Sequence, residues 1–202
     1  RGKRCSGGRI AAVFMAAAAL AGAMPALAAN ECGAATAGTA VDCAPGAYAT
    51  GIHYSVDDLT LNVQGTATIR GATAPAGVGV ANFGSGTGVS KVTTTGNISV
   101  TTSGNFGYGI HARASGPGDA VVETTGNTSV TTLGVDGAKA VFAYASGGGN
   151  ALVNNRATVV TTGSGINDGA FGVFAMTTGG GDATANNAGT ISTSGQFGYG
   201  VY

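Results

Sequence analysis

A repeat of about 31 residues runs through most of the chain, and it constrains the fold more than any other feature. One column of the repeat is an aliphatic residue at the centre of a Thr-rich segment. Its members stand 30 or 31 residues apart: Ile69, Val100, Val130, Val160 and Ile191. A second column follows about ten residues later in each copy, and its members are Val80, Ile110, Val141, Val173 and Val201. The third column lies between copies, in the segments 90–92, 119–122, 150–153 and 182–185.

Each repeat therefore contains three short segments rich in Val, Ile and Thr, separated by clusters of Gly, Asn, Ser and Asp. Short β-branched segments bounded by turn residues are typical of strands. The side chains alternate with a period of two, since Ile98, Val100 and Thr102 share one face and Ser99 and Thr101 the other. Three strands per repeat in near-constant register predict an all-β, right-handed parallel β-helix, a solenoid of about five coils rising roughly 24 Å.

In such a solenoid the aliphatic columns fill the interior, threonines form hydroxyl ladders outside, and glycines occupy the corners. The alternative is a β-propeller. Its blades usually run to about 40 residues or more with four strands and aromatic signatures, and these are missing here. The 38 glycines and the 9% of charged residues fit the solenoid.

The N-terminal segment has the order of a secretory signal peptide. The first nine residues carry four basic side chains and no acid, and residues 10–24 are uncharged and apolar. Pro25 and the small-x-small site Ala26-Leu27-Ala28 follow. The apolar segment is shorter than the roughly 20 residues that span a bilayer. We therefore predict that residues 1–28 are a signal peptide, with a signal anchor or a buried helix as the alternative.

Removal of this segment changes the charge and the cysteine count. Nine basic and nine acidic residues balance in the whole chain, but residues 29–202 keep five basic residues and nine acids, so 5 − 9 = −4. A nucleic-acid partner is not expected from such a balance. Cys32 and Cys43 remain, and in an exported protein they predict a disulfide loop, with two free thiols as the alternative. We expect residues 29–58 to be an N-terminal cap and residues 59–202 to be the β-helix.

No catalytic, cofactor-binding or metal-ligating set is predicted. Residues 29–202 contain two histidines, His53 and His111, and no G-x-S-x-G nucleophile elbow. Asp57 and Asp58 are adjacent but precede the regular repeats. Asp119 and Asp182 share one column with Asn150 between them and Ser90 before. This column could hold a cation, but short polar residues that make a turn are the favoured interpretation.

One pattern points to binding. His111, Phe142, Phe174 and Tyr202 follow the second aliphatic column by one residue. If that column points inward, these side chains point outward and stack into an exposed stripe. Stacked aromatic rings can bind sugars or a partner protein. Burial by loops or packing at a corner is the alternative.

Taken together, these features resemble an autotransporter passenger domain of Gram-negative bacteria. The resemblance rests on the signal-like segment, the Cys-bracketed segment and the coils TTGNISVTTSGNFGYGIHA and TTGNTSVTTLGVDGAKAVFA. The segment CAPGAYATGIHYSVDDLTLNVQG (43–65) is similar to the start of such passengers. Because Tyr202 ends a segment that matches GYGIH at 107–111, the repeat is expected to continue past it.

The resemblance implies export through the periplasm to the outer membrane or cell surface, or secretion. It also implies a C-terminal β-barrel translocator in the same polypeptide, and surface proteins or glycans of a host or of bacteria as partners. The function expected is a surface stalk or adhesin-like scaffold without catalytic activity of its own, connected with adhesion and virulence. The alternative is a β-helix enzyme that binds or degrades polysaccharides.

Overall fold

The chain forms a parallel β-solenoid of about five turns. The computed structural model describes residues 32–71, 77–104, 106–134, 137–163, 169–195 and 197–202. All regular structure in these ranges is strand. The predicted signal peptide at residues 1–28 lies outside the described residues.

The strands fall into two parallel sheets whose layers follow one another along the axis. The first sheet has ten strands: β1 Ala40–Cys43, β2 Gly46–Tyr48, β4 Thr60–Arg70, β6 Ser90–Gly104, β8 Ala120–Gly126, β9 Ser129–Gly134, β11 Ala151–Asn155, β12 Thr158–Gly163, β14 Ala183–Asn187 and β15 Ile191–Ser194. The second sheet has six strands: β3 Ile52–Tyr54, β5 Val78–Gly84, β7 Tyr108–Ala114, β10 Lys139–Ala145, β13 Ala170–Thr177 and β16 Gly198–Val201.

Two of the three predicted segments of each coil belong to one sheet. In β4 and β6 they join into continuous strands of 11 and 15 residues. The corner between them is made by glycines in register, Gly65, Gly96 and Gly126, each with positive φ. A glycine adopts this conformation without the steric cost that a Cβ brings. The chain can therefore turn there while hydrogen bonding to the neighbouring coil continues.

Aliphatic side chains fill the space between the two sheets. Val80, Ile110, Val141 and Val173 are in register and fully buried, as the second column predicts. Ala120, Ala151 and their neighbours Val122 and Val153 fill the interior on the other side. Each coil thus buries its apolar face on the coils next to it, which is the source of stability in a solenoid.

The assignment of Val160 to the first column is wrong. Val159 pairs with Val130 on one side and with Ile191 on the other, and it is fully buried, whereas Val160 is only half-buried. The distance from Val122 to Val130 is eight residues, but from Val153 to Val159 it is six. The corner before Val159 is therefore two residues shorter than the corner before Val130, so a constant repeat length does not locate the first column in this coil. A shift of one residue moves a strand side chain to the opposite face.

The regular solenoid begins inside the segment expected to be a separate cap. Strands β1 and β2 pair in parallel with β4, and β3 pairs with β5. Residues 40–54 are therefore the first coil. The segment before them lies over the end of the core, where Cys32 and Ala35 pack against buried residues and the Tyr54 hydroxyl donates to the Gly33 carbonyl at 2.8 Å. A disulfide joins Cys32 to Cys43, with the Cα atoms 4.8 Å apart.

Threonines occupy both faces of the first sheet. On the outside, the Thr125 hydroxyl donates to the Thr95 hydroxyl at 3.2 Å, as expected of an exterior ladder. Thr102, Thr132 and Thr161 stand in register in the interior instead, each at most 1% exposed. Their hydroxyls have no hydrogen-bond partner among the described residues.

Candidate functional site

A row of rings runs along the outer face of the second sheet. The parallel register places Ala81, His111, Phe142 and Phe174 side by side on successive strands. Ring centroids are 4.5 Å apart for His111 and Phe142, 5.0 Å for Phe142 and Phe174, and 5.0 Å for Phe174 and Tyr202. The sequence therefore located this row correctly, because the strands stay in register through these coils.

The prediction that the row is an exposed stripe is wrong for three of its four members. His111 and Phe142 are each 6% exposed and Phe174 is 5% exposed, whereas Tyr202 in the last coil is 63% exposed. Side chains from two flanking rows cover the first three. The row is thus the floor of a groove and not a free surface.

One flanking row lies three residues before the floor, at the start of each strand. Lys139 pairs with Tyr108 and with Phe171, and Phe171 pairs with Tyr199. The rings of Phe171 and Tyr199 stack at 5.0 Å, and that of Tyr108 lies 5.1 Å from His111. These four residues form one wall of the groove.

The other flanking row lies two residues after the floor and was missed from sequence. Its members are in register: Phe83, Arg113, Tyr144 and Met176. Residues of these two rows and the floor enclose a groove of about 460 Å³. Alternation along each strand was the available signal, since residues i and i+2 share a face.

The groove carries positive charge next to aromatic rings. The Lys139 ammonium lies 5.4–5.7 Å from the centroids of Tyr108, Phe142, Phe171 and Phe174, and it donates to the Gly137 carbonyl at 3.1 Å. The Arg113 guanidinium lies 5.6 Å from the centre of the Tyr144 ring. Cations over ring faces are attracted by the ring quadrupole. None of the nine described residues that line the groove is acidic.

His111 is a buried, neutral imidazole in the floor. Burial, and then the positive charges of Arg113 and Lys139, lower the pKa of His111 to about 3. Neither ring nitrogen has a hydrogen-bond partner among the described residues. A neutral imidazole offers one donor and one acceptor, so the floor contains an unused pair of polar groups. His53 lies elsewhere, where its Nε2 contacts the Val78 carbonyl at 3.0 Å.

The column of short polar residues makes turns, in agreement with the favoured interpretation. Its assignment of Ser90 is wrong, because Ser90 pairs with Ala120 and is fully buried. The backbone N–H of Asn150 donates to the Asp119 carboxylate at 2.7 Å. The backbone N–H of Asp182 donates to the side-chain oxygen of Asn150 at 2.9 Å. Asp57 and Asp58 act in the same way two coils earlier. Asp57 accepts from the amides of Ser85 and Gly86, and Asp58 accepts from that of Val89. In the described part of the chain, no three His, Cys, Asp or Glu side chains converge on a point suitable for a metal ion.

A second, polar groove of about 710 Å³ lies at the shortened corner of the first sheet. Several of the polar side chains that line it bond to each other or to neighbours in adjacent coils. Asn186 donates to Asn154 at 2.9 Å, Asn155 donates to Asn187 at 2.7 Å, and Glu123 pairs with Lys91 at 2.7 Å. These contacts are ladders that join one coil to the next. The aromatic groove is therefore the stronger candidate site.

Comparison of the chain with known family models, with curated proteins and with solved structures finds no match. The described residues include no helix of sufficient length and apolarity to span a membrane.

Proposed function

We propose that the chain is an exported surface passenger of an autotransporter, a β-helical stalk or adhesin-like scaffold without catalytic activity of its own. The observation that carries the proposal is a parallel solenoid with an aromatic, cationic groove along one outer face. A solenoid grows by adding coils, so it suits a stalk, and its long faces suit the binding of extended partners.

The disulfide and the N-terminal segment support export. Disulfides persist in oxidising compartments such as the periplasm and the cell exterior. Cys32 and Cys43 are joined at the first coil, and the sequence before them has the order of a signal peptide. The proposal assigns anchoring and translocation to a C-terminal β-barrel in the same polypeptide, and contact with surface proteins or glycans to the solenoid.

Export is tested with the full chain placed before an autotransporter β-barrel in a Gram-negative host. We expect proteinase K added to intact cells to remove the solenoid, and the mature protein to begin at Ala29. A variant with Ala28→Asp is the matched control and should remain unprocessed. Solenoid that stays inside intact cells with Cys32 and Cys43 reduced would overturn the proposal.

The absence of catalysis needs its own test, because polysaccharide-degrading enzymes also use β-helices. Glycosidases need a pair of carboxyl groups beside the scissile bond, and the described lining of the groove contains none. This favours binding over cleavage. We expect the purified chain to release no new reducing ends or unsaturated products from acidic and neutral polysaccharides. Release that Lys139→Gln or Arg113→Gln abolishes would replace the scaffold proposal with the enzymatic alternative.

A further inference from the structure

We propose that the aromatic groove binds an acidic oligosaccharide, with sugar rings against its aromatic walls and a carboxylate or sulfate at Lys139 or Arg113. This inference names the ligand class of the adhesin-like scaffold. It rests on that proposed function for one point only, namely that the ligand is encountered at the cell surface. It follows from three independent observations on the groove: its rings, its charge and its unpaired imidazole.

The rings form a ladder with the spacing of the coils. Tyr108 and Phe171 stand two strands apart on one wall, with Lys139 between them, and Tyr144 stands on the opposite wall. Parallel strands are about 4.8 Å apart, and a sugar ring in an extended chain advances by a similar length. Tyr108, Tyr144 and Phe171 are half-buried, so each is held in place yet keeps some exposed surface. Binding sites of this kind combine apolar surface with a few placed polar groups.

The charge of the groove selects an anion. Two cations, Lys139 and Arg113, lie among its lining residues, and none of those described is acidic. Arg113 is exposed and presents a planar guanidinium, which suits a carboxylate or sulfate. The rings hold the Lys139 ammonium at 5.4–5.7 Å from four centroids, so its position is fixed before a ligand arrives.

The floor contains a polar ring whose two nitrogens are buried and unpartnered in the described chain. Both nitrogens of His111 lack a partner among the described residues, although the side chain is only 6% exposed. Leaving a buried polar group unpaired costs about 1–3 kcal/mol. A sugar hydroxyl both donates and accepts, so it matches a neutral imidazole, which also does both. These nitrogens are buried, so a sugar hydroxyl reaches them only where a flanking side chain moves aside, and the bond formed then removes this cost.

A peptide is the competing occupant, and the structure favours it less. The backbone of β7, β10 and β13 is already paired on both sides by parallel neighbours, so these strands offer no edge for a peptide strand. An apolar peptide would also bring no opposite charge to the exposed Arg113 guanidinium. Binding of an apolar peptide is therefore an outcome of the test that would count against the proposal.

The test uses the full chain and isothermal titration calorimetry with matched probes. Oligogalacturonate and a heparin oligosaccharide supply the acidic ligands, and fully methyl-esterified oligogalacturonate supplies the same rings without charge. We expect at least one acidic probe to bind, and the affinity of a binding galacturonate to fall about tenfold or more on esterification. Added salt should weaken the binding, since the charges are partly exposed.

Variants locate the site. Lys139→Gln and Arg113→Gln should each weaken binding about tenfold, because each loses a charge-assisted hydrogen bond. Lys91→Gln is the matched control, since it removes a cation on the other sheet that pairs with Glu123, and it should bind normally. Thermal unfolding by circular dichroism checks that each variant folds. If Lys139→Gln fails to fold, Arg113→Gln decides, because Arg113 is exposed.

The outcomes separate this inference from the proposed function. No binding of either acidic probe, equal binding of the esterified probe, equal loss in Lys91→Gln, or binding of an apolar peptide instead would overturn the glycan site. A chain that is displayed on cells but binds neither probe keeps the surface function and loses this inference. A chain that binds the acid but is never displayed loses the surface function and keeps the site.

Discussion

The imidazole of His111 stacks on the ring of Phe142 with centroids 4.5 Å apart, although the same position in the next two coils is phenylalanine. The parallel register gives the imidazole an aromatic site without hydrogen-bond partners in the described chain. From a polar ring in such an apolar setting we expect the stability of the solenoid to depend on pH.

We expect stability to fall between pH 6.5 and about 3 because of His111. The unfolded chain takes up this proton near the ordinary pKa of 6.5, whereas the folded chain holds the pKa of His111 at about 3. Protonation therefore favours the unfolded state in this window. The free energy of unfolding is therefore unaffected by His111 above pH 6.5. As the pH falls towards 3 it decreases by up to about 4–5 kcal/mol because of this residue. Urea unfolding at several pH values measures this loss.

The matched variants are His111→Phe and His53→Phe. His111→Phe should flatten the pH dependence across this window, and it should raise the midpoint at pH 5 because the ring fits the column. His53→Phe removes a contact with the Val78 carbonyl, so it should lower stability while retaining the fall at acid pH. An unchanged pH profile in His111→Phe would contradict the assignment.

Buried threonines allow opposite predictions for the same substitution. The Thr132 hydroxyl is buried and has no partner among the described residues, so Thr132→Val should stabilise the protein by about 1 kcal/mol. The Thr124 hydroxyl donates to Asn155 at 2.8 Å and accepts from the amides of Arg156 and Ala157. Thr124→Val should therefore cost about 2 kcal/mol or more. Chemical denaturation measures both, and equal effects would contradict the difference between the two sites.

Strand glycines differ in the room around them. A Cβ at Gly109 would overlap the Val130 side chain and the Ala140 carbonyl, whereas at Gly46 the nearest atom, in Tyr48, is 4.0 Å away. Gly109→Ala should destabilise the solenoid by about 1–3 kcal/mol. Gly46→Ala, in the first coil, should leave Tm unchanged or slightly higher. A Gly109→Ala variant that melts with the parent would show that the two sheets can separate at no cost.

The disulfide should stabilise the first coil. It closes a short loop, with a sequence separation of 11, which is worth about 2–3 kcal/mol in the chain-entropy model. We expect Cys32→Ser/Cys43→Ser to lower the free energy of unfolding, measured by urea denaturation, by that amount, and a reducing agent to do the same to the parent. The double variant in the presence of the reducing agent is the control and should show no further change. A reducing agent without effect on the parent would contradict this role.

Much of the solenoid is predictable from sequence because corresponding residues of adjacent coils stack, so each column reports one environment. A column stops reporting one environment where a coil changes length or where two rows of side chains interact. Val159 replaces Val160 because the corner before it is two residues shorter. The floor residue Phe142 is buried because its neighbours on both sides are long, and one of these, Tyr144, belongs to a row that the aliphatic columns do not reveal. Burial of an outward ring depends on such pairs across rows, which single columns do not encode.

The column through Asp119 and Asn150 makes the final prediction, because a turn and a cation site respond differently to the same change. As the acceptor of the Asn150 amide at 2.7 Å, Asp119 can be replaced by Asn, which retains a carbonyl acceptor. Asp119→Asn should therefore unfold near the parent, and Asp119→Ala should lose about 1 kcal/mol. Calcium and EDTA should leave the Tm of the parent, of Asp119→Asn and of Asp119→Ala unchanged. Differential scanning fluorimetry measures these Tm values. If calcium raised the Tm of the parent and not that of Asp119→Asn, the column would be a cation site and the turn assignment would be wrong.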